Sequence, residues 1–353
     1  MDTKETGEII QKNSKFFVMF VIVLFFSLFS LSSFLLQSSS RSLFALVSNP
    51  HFILRILVII LGLLSFIYIP RGEFFKKNIF FFSFFALSYF LAFTSLVFSR
   101  HSMPSILGER IPLGFMLGIS SVLLLTNNIS EDEFGLEDIF LYTFVEAADI
   151  IVLLLLTDYA SAFIVFLTLT LLSFHYGFTF PLRVFLLNLL IVFVVLYLFM
   201  LSPSFVQKYF DGLLQDSEFM EFFSKSSIYL ASDRANATTV ASSGGDIIFS
   251  FIKRFTVFGV AAFSLLLMGE IVMAFLASSY VDYVTDSKDS IRMYALSIYM
   301  GLSVIFPLLS LVTSLPIFKA DMPFVSMSSI YVFLTILVFS YMLSPLYKVE
   351  KEL

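Results

Sequence analysis

The sequence lacks cysteine and tryptophan altogether, and it has only three histidines among 353 residues. Without cysteine, the chain has no disulfides, no thiolate metal sites and no cysteine nucleophile. The three histidines are far apart in the sequence, which does not favour a histidine-based metal site. The formal net charge of -5 argues against a nucleic-acid partner.

Charged residues are also scarce, at 13% of the chain, whereas soluble domains carry about 25%. Hydrophobic residues make up 59%, and phenylalanine alone occurs 48 times. A surface that faces water everywhere cannot be built from this composition, so the chain is predicted to be an integral membrane protein. Because tryptophan is absent, any interfacial aromatic belt must consist of tyrosine and phenylalanine.

Ten apolar runs approach or reach the length of about 20 residues that a membrane-spanning helix needs. The first run is too long for the apolar region of a cleaved signal peptide, so we expect a transmembrane anchor there. The fourth and sixth runs are short. We therefore predict an all-α, polytopic transmembrane bundle of about ten helices, forming a single domain over residues 1–353. The runs are Phe16–Leu36, Ile53–Ile69, Asn78–Phe98, Pro112–Thr126, Asp138–Leu156, Ala160–Phe174, Leu182–Leu201, Asp246–Tyr280, Ile291–Ser314 and Phe324–Leu346.

An even number of spans places both termini on one side of the membrane. Basic residues in the short connections favour the cytoplasm for that side. Residues 1–15 then form a cytoplasmic tail, and Ser202–Gly245 forms a long external loop between helices 7 and 8, of a length that is usually functional. The basic residues on the side of the termini are Lys4, Lys12, Lys15, Arg71, Lys76, Lys77, Arg183, Lys288, Arg292, Lys348 and Lys351, and those on the other side are Arg41, Arg55, Arg100, Arg110, Lys208, Lys225, Arg234 and Lys319.

Ionisable residues inside apolar runs are costly in a membrane, so each is a functional candidate. Glu146 and Asp149 lie three residues apart, on one face of the fifth span. Lys253 and Arg254 lie inside the eighth span, at a depth that matches that of Asp149. Two interpretations stay open for these four residues: a structural ion pair that fixes helix packing, or a cationic site for a phosphate head group.

Two further carboxylates lie at the external ends of spans. Asp158 precedes the sixth span and Asp246 precedes the eighth, and each could simply cap its helix, because Asp is a favoured N-cap residue. Alternatively, a carboxylate at the mouth of an apolar cavity is well placed as a general base. Gly114 and Gly118 form a G-x-x-x-G pattern in the fourth span, which indicates close helix packing.

Three segments resemble motifs of the SEDS family of bacterial cell-wall proteins, the group of FtsW, RodA and SpoVE. They occur in family order, at family-like separations, although the family's Tyr-Gly-Gly and the Glu-Glu after its Asp-Phe-Ile-Phe are absent. Of the family's Arg-Arg-Trp loop only Arg110 is found nearby. The three segments are Leu156-Thr157-Asp158-Tyr159-Ala160-Ser161-Ala162, Gly245-Asp246-Ile247-Ile248-Phe249, and the stretch from Leu315-Pro316 to Pro323-Phe324-Val325-Ser326.

This resemblance implies a peptidoglycan glycosyltransferase that polymerises lipid II for cell division or for elongation. Asp246 is then the expected catalytic base. The expected partners are a monofunctional, class B penicillin-binding protein and other divisome or elongasome membrane proteins. A divalent cation, Mg²⁺ or Mn²⁺, could assist the departing pyrophosphate. The residues expected to bind substrate are Asp158, Arg110, Arg234, Lys253, Arg254, Pro323 and Ser326.

Two other functions stay open. A transporter or flippase for a lipid-linked precursor would use the intramembrane charges as a polar path. A non-catalytic family member would act as a scaffold of a cell-wall complex. The expected location is in each case the bacterial cytoplasmic membrane.

Overall fold

The structure is a computed structural model of the whole chain, and it describes residues 3–37, 49–72, 77–98, 105–106, 109–128, 136–156, 158–175, 268–273, 275–284, 286–309, 322–324, 326 and 328–347. The predicted external loop, the seventh run and most of the eighth run lie outside these residues. So do Arg234, Asp246, Lys253 and Arg254 among the predicted site residues.

The described residues form an α-helical bundle. Its helices are α1 (Thr3–Gln37), α2 (Pro50–Arg71), α3 (Asn78–Phe98), α4 (Leu113–Asn128), α5 (Leu136–Leu155), α6 (Tyr159–His175), α7 (Ser287–Leu309) and α8 (Ser329–Leu343). Short 3-10 helices cover Ser278–Tyr283 and Ser344–Leu346, and residues 268–273 are helical as well. A hairpin of two-residue strands, β1 (Ser105–Ile106) and β2 (Glu109–Arg110), precedes α4.

Eight of the ten predicted spans coincide with these helices, which confirms the predicted all-α, polytopic fold. Five helical segments in the described part of the chain are long and apolar enough to cross a membrane, and α4 and α6 are shorter apolar helices. The first helix already begins at Thr3, so most of the predicted tail at residues 1–15 is helical.

Local sequence explains where several helices begin. Asn49 caps α2, because its side chain accepts a hydrogen bond from the His51 N–H, and Pro50 occupies the first turn, where its missing N–H is not needed. Ser328 caps α8 by accepting from the Tyr331 N–H at 3.3 Å.

The centre of the bundle is α4. Every residue from Leu113 to Asn127 is buried, and α3, α5, α6 and α7 all pack against this helix. Helices α1, α2 and α3 instead expose rows of large apolar side chains, as lipid-facing helices do. A helix of 16 residues is roughly 24 Å long, so α4 is short because it lies inside protein and not against lipid.

Glycines let neighbouring helices approach α4 closely. A Cβ at Gly114 would overlap the side chains of Asp158 and Ser161 at the start of α6. A Cβ at Gly118 would lie 2.7 Å and 2.8 Å from ring carbons of Tyr299 in α7. The close packing that the G-x-x-x-G pattern predicts is therefore confirmed, with a different partner helix at each glycine.

The bundle has two ends, which we name by one residue each. At the Asp158 end lie the starts of α2, α4, α6 and α8. At the Tyr347 end lie the starts of α1, α3, α5 and α7. There the Arg71 guanidinium donates to the Tyr347 hydroxyl at 3.1 Å, and the Phe16 ring lies 5.1 Å from the Tyr347 ring.

Basic residues gather at the Tyr347 end. Lys15 lies over the rings of Tyr280 and Tyr283, and Arg292 lies 5.0 Å from the ring of Tyr341 while it pairs with Asp289. Together with Arg71, these residues were assigned from the sequence to a single side of the membrane. The fold confirms that they share one end of the bundle.

Candidate functional site

Asp158 is held at the junction of α5 and α6. Its backbone N–H donates to the Leu153 carbonyl at 2.9 Å, and its Oδ1 accepts from the Ser161 N–H at 3.1 Å. The second bond is that of an N-cap residue, so the capping interpretation of Asp158 is confirmed. The other carboxylate oxygen, Oδ2, faces Gly114 of α4. Asp158 therefore connects α6 to the central helix while its side chain stays only half buried.

The described residues 322–324 and 326 lie in a turn before α8. The Ser326 N–H donates to the Met322 carbonyl at 3.0 Å and closes the turn. Phe324 has a φ of 58°, in the left-handed region that non-glycine residues rarely adopt. Its buried ring packs between Phe26 of α1, at 5.7 Å, and Phe339 of α8, at 6.0 Å. This packing offsets a backbone cost on the order of 1–2 kcal/mol.

Arg55 joins this turn to α1 and α2 through hydrogen bonds. It lies on α2 and is fully buried. Its Nη2 donates to the Ser30 hydroxyl of α1 at 2.6 Å and to the Ser326 carbonyl at 2.8 Å. Charge-assisted hydrogen bonds of this kind are stronger than neutral ones. A single guanidinium thus joins α1, α2 and the turn.

The predicted site residues in the described part of the chain all lie at the Asp158 end. Arg110 is in β2, three residues before α4, and β2 packs against α8. The Phe115 ring of α4 lies 4.5 Å from the Tyr331 ring of α8, which places the turn beside the start of α4. Asp158 reaches the same start of α4 through Gly114.

Pro323 and Ser326 are both buried, so within the described residues they shape the turn. The Ser326 hydroxyl accepts from the Ser328 N–H at 3.2 Å, which links the turn to the cap of α8. Substrate binding by Pro323 and Ser326 stays a prediction.

Glu146 and Asp149 form a buried acidic pair in α5, deeper than Asp158 in the bundle. Both side chains have no solvent exposure. The Tyr89 hydroxyl of α3 donates to Asp149 Oδ1 at 2.6 Å. The predicted pairing of Asp149 with Lys253 or Arg254 concerns residues outside the described part of the chain, so it stays a prediction.

An apolar groove of about 390 Å³ lies between α1 and a segment that contributes Gly269, Val272, Met273 and Leu276. Its walls include Phe26 and Gly269, with Phe25 and Val272 at its exposed margin, each 57% exposed. Phe26 also packs against Phe324. Phe26 therefore separates the groove from the turn that Arg55 holds and contacts both.

The described residues contain no group of three or more His, Cys, Asp or Glu side chains that could hold a metal ion. The divalent cation that the resemblance implies stays a prediction.

Sequence reasoning missed Arg55 and Tyr89. Arg55 was counted with the charges of the connections, although it falls inside the run Ile53–Ile69 and so carried the signal of an intramembrane charge. Tyr89 carried no comparable signal, because one tyrosine in an aromatic-rich helix does not stand out.

Comparison with solved structures gives independent support for the fold. No family model matches the chain, and no curated protein is significantly similar to it. Among solved structures, a chain from a peptidoglycan synthase complex, studied for the coordination of polymerization and crosslinking, is similar with a TM-score of 0.66 and 15% identity, covering 91% of this chain and 95% of that one.

The rod shape determining protein RodA of Thermus thermophilus is similar as well. Its TM-score is 0.58 at 14% identity, over 91% of this chain and 94% of RodA. A point mutant of the same protein gives 0.59 at 14% identity, over 91% and 95%. The chain therefore has the fold of RodA over nearly its whole length, and the resemblance to the SEDS family that its motifs indicated is confirmed at the level of the fold.

Proposed function

We propose that the chain is a peptidoglycan glycosyltransferase of the SEDS family, which polymerises lipid II for cell division or elongation. The observation that carries the proposal is the RodA-like fold over 91% of the chain, in which the described motif residues meet at one end. Asp158, the turn at residues 322–326 and β2 all adjoin the start of α4.

The chemistry of lipid II fits such a bundle. Its polyprenyl tail lies in the bilayer, and an apolar groove open at its side is a suitable place for it. Its sugars and peptide need a polar region at the membrane surface, for which the loop 202–245 is our candidate. We expect the loop at the Asp158 end, and the groove borders the turn before α8 through Phe26.

We assign Asp246 as the general base, on the strength of its motif. The base takes the proton from the acceptor sugar hydroxyl, whose oxygen forms the new glycosidic bond as the bond to the pyrophosphate breaks. Positive charge stabilises the departing pyrophosphate. Our candidates for this charge are Arg234, Lys253 and Arg254, and Arg110 is a further candidate for binding the substrate.

The expected setting is the bacterial cytoplasmic membrane, with both termini in the cytoplasm. The expected partner is a class B penicillin-binding protein, which cross-links the glycan that this chain makes. One structural neighbour belongs to a peptidoglycan synthase complex, which supports a complex of this kind here.

The proposal is tested by lipid II polymerisation with purified protein, alone and with its penicillin-binding partner. Asp246→Asn preserves size and capping ability but cannot accept the proton, so polymerisation should fall about 10²–10⁴-fold while the fold survives. Asp282→Asn, an exposed position at the Tyr347 end, is the matched control and should leave activity unchanged. Glycan synthesis at the wild-type rate by Asp246→Asn would show that the base is another carboxylate, with Asp158 as the next candidate.

One observation favours a second function. The buried Glu146 and Asp149 are carboxylates in the interior of the bundle, where a transporter or flippase for a lipid-linked precursor would place its polar path. Movement of a lipid-linked precursor across vesicles by the purified protein, lost in Glu146→Gln and Asp149→Asn, would favour that function. Retained polymerisation by both variants would favour the transferase.

A further inference from the structure

The most unusual polar arrangement in the described bundle is the one around Arg55. A fully buried guanidinium donates to a hydroxyl on α1 and to the main-chain carbonyl of Ser326. A charge in a membrane interior is expensive and is a functional candidate by default. Because the acceptor at Ser326 is a main-chain carbonyl, the hydrogen bond from Arg55 fixes the position of the backbone of the turn.

The backbone that Arg55 holds is strained. Phe324 has a positive φ, which only surrounding contacts can maintain. The hydrogen bond from Arg55 holds the turn at Ser326. The rings of Phe26 and Phe339 pack on both sides of the Phe324 ring. Without the guanidinium, the turn can relax, and Phe324 with it.

A shift of the Phe324 ring would change the shape of the apolar groove. Phe26 touches Phe324 on one side and lines the groove on the other. Opposite it, a Cβ at Gly269 would already lie 3.2 Å from Phe26 Cζ. There is thus little room for the Phe26 ring to move without narrowing or opening the groove.

We propose that Arg55 is a positioning residue: by fixing the turn 322–326, it sets through Phe324 and Phe26 the shape of the groove that takes the polyisoprenoid tail of the substrate. The assignment of an isoprenoid tail rests on the proposed function and on the purely apolar walls of the groove beside the motif turn. The guanidinium does not touch the reacting atoms.

The test compares Arg55→Met with Arg292→Met. Arg292 is also a buried arginine, 4% exposed, but it lies at the Tyr347 end with Asp289 as its partner. Both variants lose a buried cation, so a general loss of stability should appear in both. An effect through the groove should appear only in the Arg55 variant.

The first measurement is polymerisation of lipid II carrying a full-length or a shortened isoprenoid tail. Wild type should prefer the long tail through a lower KM. Arg55→Met should raise the KM for the long-tailed substrate at least fivefold, with a smaller change in kcat. The KM values for the two substrates should then be nearly equal. Arg55→Lys, which keeps one charged donor group, should recover part of the preference. An unchanged tail preference in Arg55→Met, or an equal loss in Arg292→Met, would overturn the proposal.

The second measurement does not depend on transferase activity. A polyprenyl phosphate with a photoreactive tail should cross-link to α1 or to residues 268–276 in the wild-type protein, and at least fivefold less in Arg55→Met than in Arg292→Met. If polymerisation is absent from wild type but cross-linking depends on Arg55, the proposed function fails and the positioning role stands. Equal cross-linking in the two variants would remove the role of Arg55 in shaping the groove.

Discussion

At the scale of single residues, Asp158 has an observed role as a helix cap and a predicted role in substrate binding. Its Oδ1 caps α6, and its Oδ2 faces Gly114 at the candidate site. Capping needs only an acceptor oxygen, whereas binding a cationic or hydroxyl group of a substrate draws on the negative charge. The two roles can therefore be separated by substitution.

We expect Asp158→Asn to fold as well as wild type, because Asn and Asp rank together as N-cap residues. Asp158→Ala should lose about 0.5–2 kcal/mol of stability with the cap. Thermal unfolding in detergent measures the first role, and lipid II polymerisation measures the second. If Asp158→Asn retains both stability and full activity, Asp158 is a helix cap alone.

The buried Asp149 leads to a second expectation at this scale. Tyr89→Phe removes the hydroxyl that donates to Asp149 Oδ1 and keeps the ring. A buried acceptor that loses its donor costs about 1–3 kcal/mol. Tyr68→Phe on α2, whose side chain is 65% exposed, is the matched control and should cost almost nothing.

A double-mutant cycle isolates the interaction of these two residues. Once Asp149→Leu has removed the carboxylate, Tyr89→Phe should cost less than it does alone, because no buried acceptor is left unsatisfied. Unfolding midpoints of the four proteins supply the coupling energy. Strictly additive losses would mean that the hydrogen bond contributes nothing to the stability of the bundle.

These two residues also mark a limit of the sequence. The burial of Glu146 and Asp149 followed from their place in an apolar run, and the structure confirms it. The partner of Asp149 could not be predicted, because many residues lie at a matching depth. Tyr89 comes within reach because α3 packs against the central helix α4.

At the scale of helices, the apolar runs predicted the elements well. The run Asn78–Phe98 has the same bounds as α3, and the short fourth run is the central helix α4. Long apolar runs fix helices because the bilayer leaves few alternatives for the backbone. The turn at residues 322–326 was not predictable, because its left-handed Phe324 depends on rings from α1 and α8.

The packing of α7 on α4 leads to a prediction about Gly118. In Gly118→Ala the new methyl group meets the Tyr299 ring, and overpacking of this kind costs about 1–3 kcal/mol. Alanine also gains up to about 1 kcal/mol of helix propensity. The matched control is Gly269→Ala, whose nearest atom is the edge of one ring at 3.2 Å, so it gains the propensity with less of the clash.

We therefore expect a lower unfolding midpoint for Gly118→Ala than for Gly269→Ala. Truncation of the opposing ring in Gly118→Ala/Tyr299→Ala should cost less than the sum of the two single changes, because the methyl group then enters the space of the ring. A Gly118→Ala protein as stable as Gly269→Ala would mean that α4 and α7 can separate without loss.

At the scale of the whole molecule, the two ends of the bundle differ in chemistry. The Tyr347 end carries Lys15, Arg71 and Arg292 with their tyrosine partners. The Asp158 end carries Asp158, the turn before α8 and the buried Arg55. Since basic residues concentrate on the cytoplasmic side of membrane proteins, we expect the Asp158 end to face outwards.

The orientation can be measured directly, because the chain has no cysteine and each introduced cysteine is a unique probe. Ser279→Cys is exposed and lies beside Tyr280 at the Tyr347 end. Lys225→Cys lies in the predicted external loop. In cells whose outer barriers have been removed, a membrane-impermeant maleimide should label Lys225→Cys at once and Ser279→Cys only after the membrane is opened.

The two probes should behave oppositely, since Ser279 lies at the Tyr347 end and the loop is predicted to lie on the other side of the membrane. Labelling of Ser279→Cys from outside, with protection of Lys225→Cys, would invert the topology. The motif turn would then face the cytoplasm, where the chain could not polymerise glycan outside the membrane.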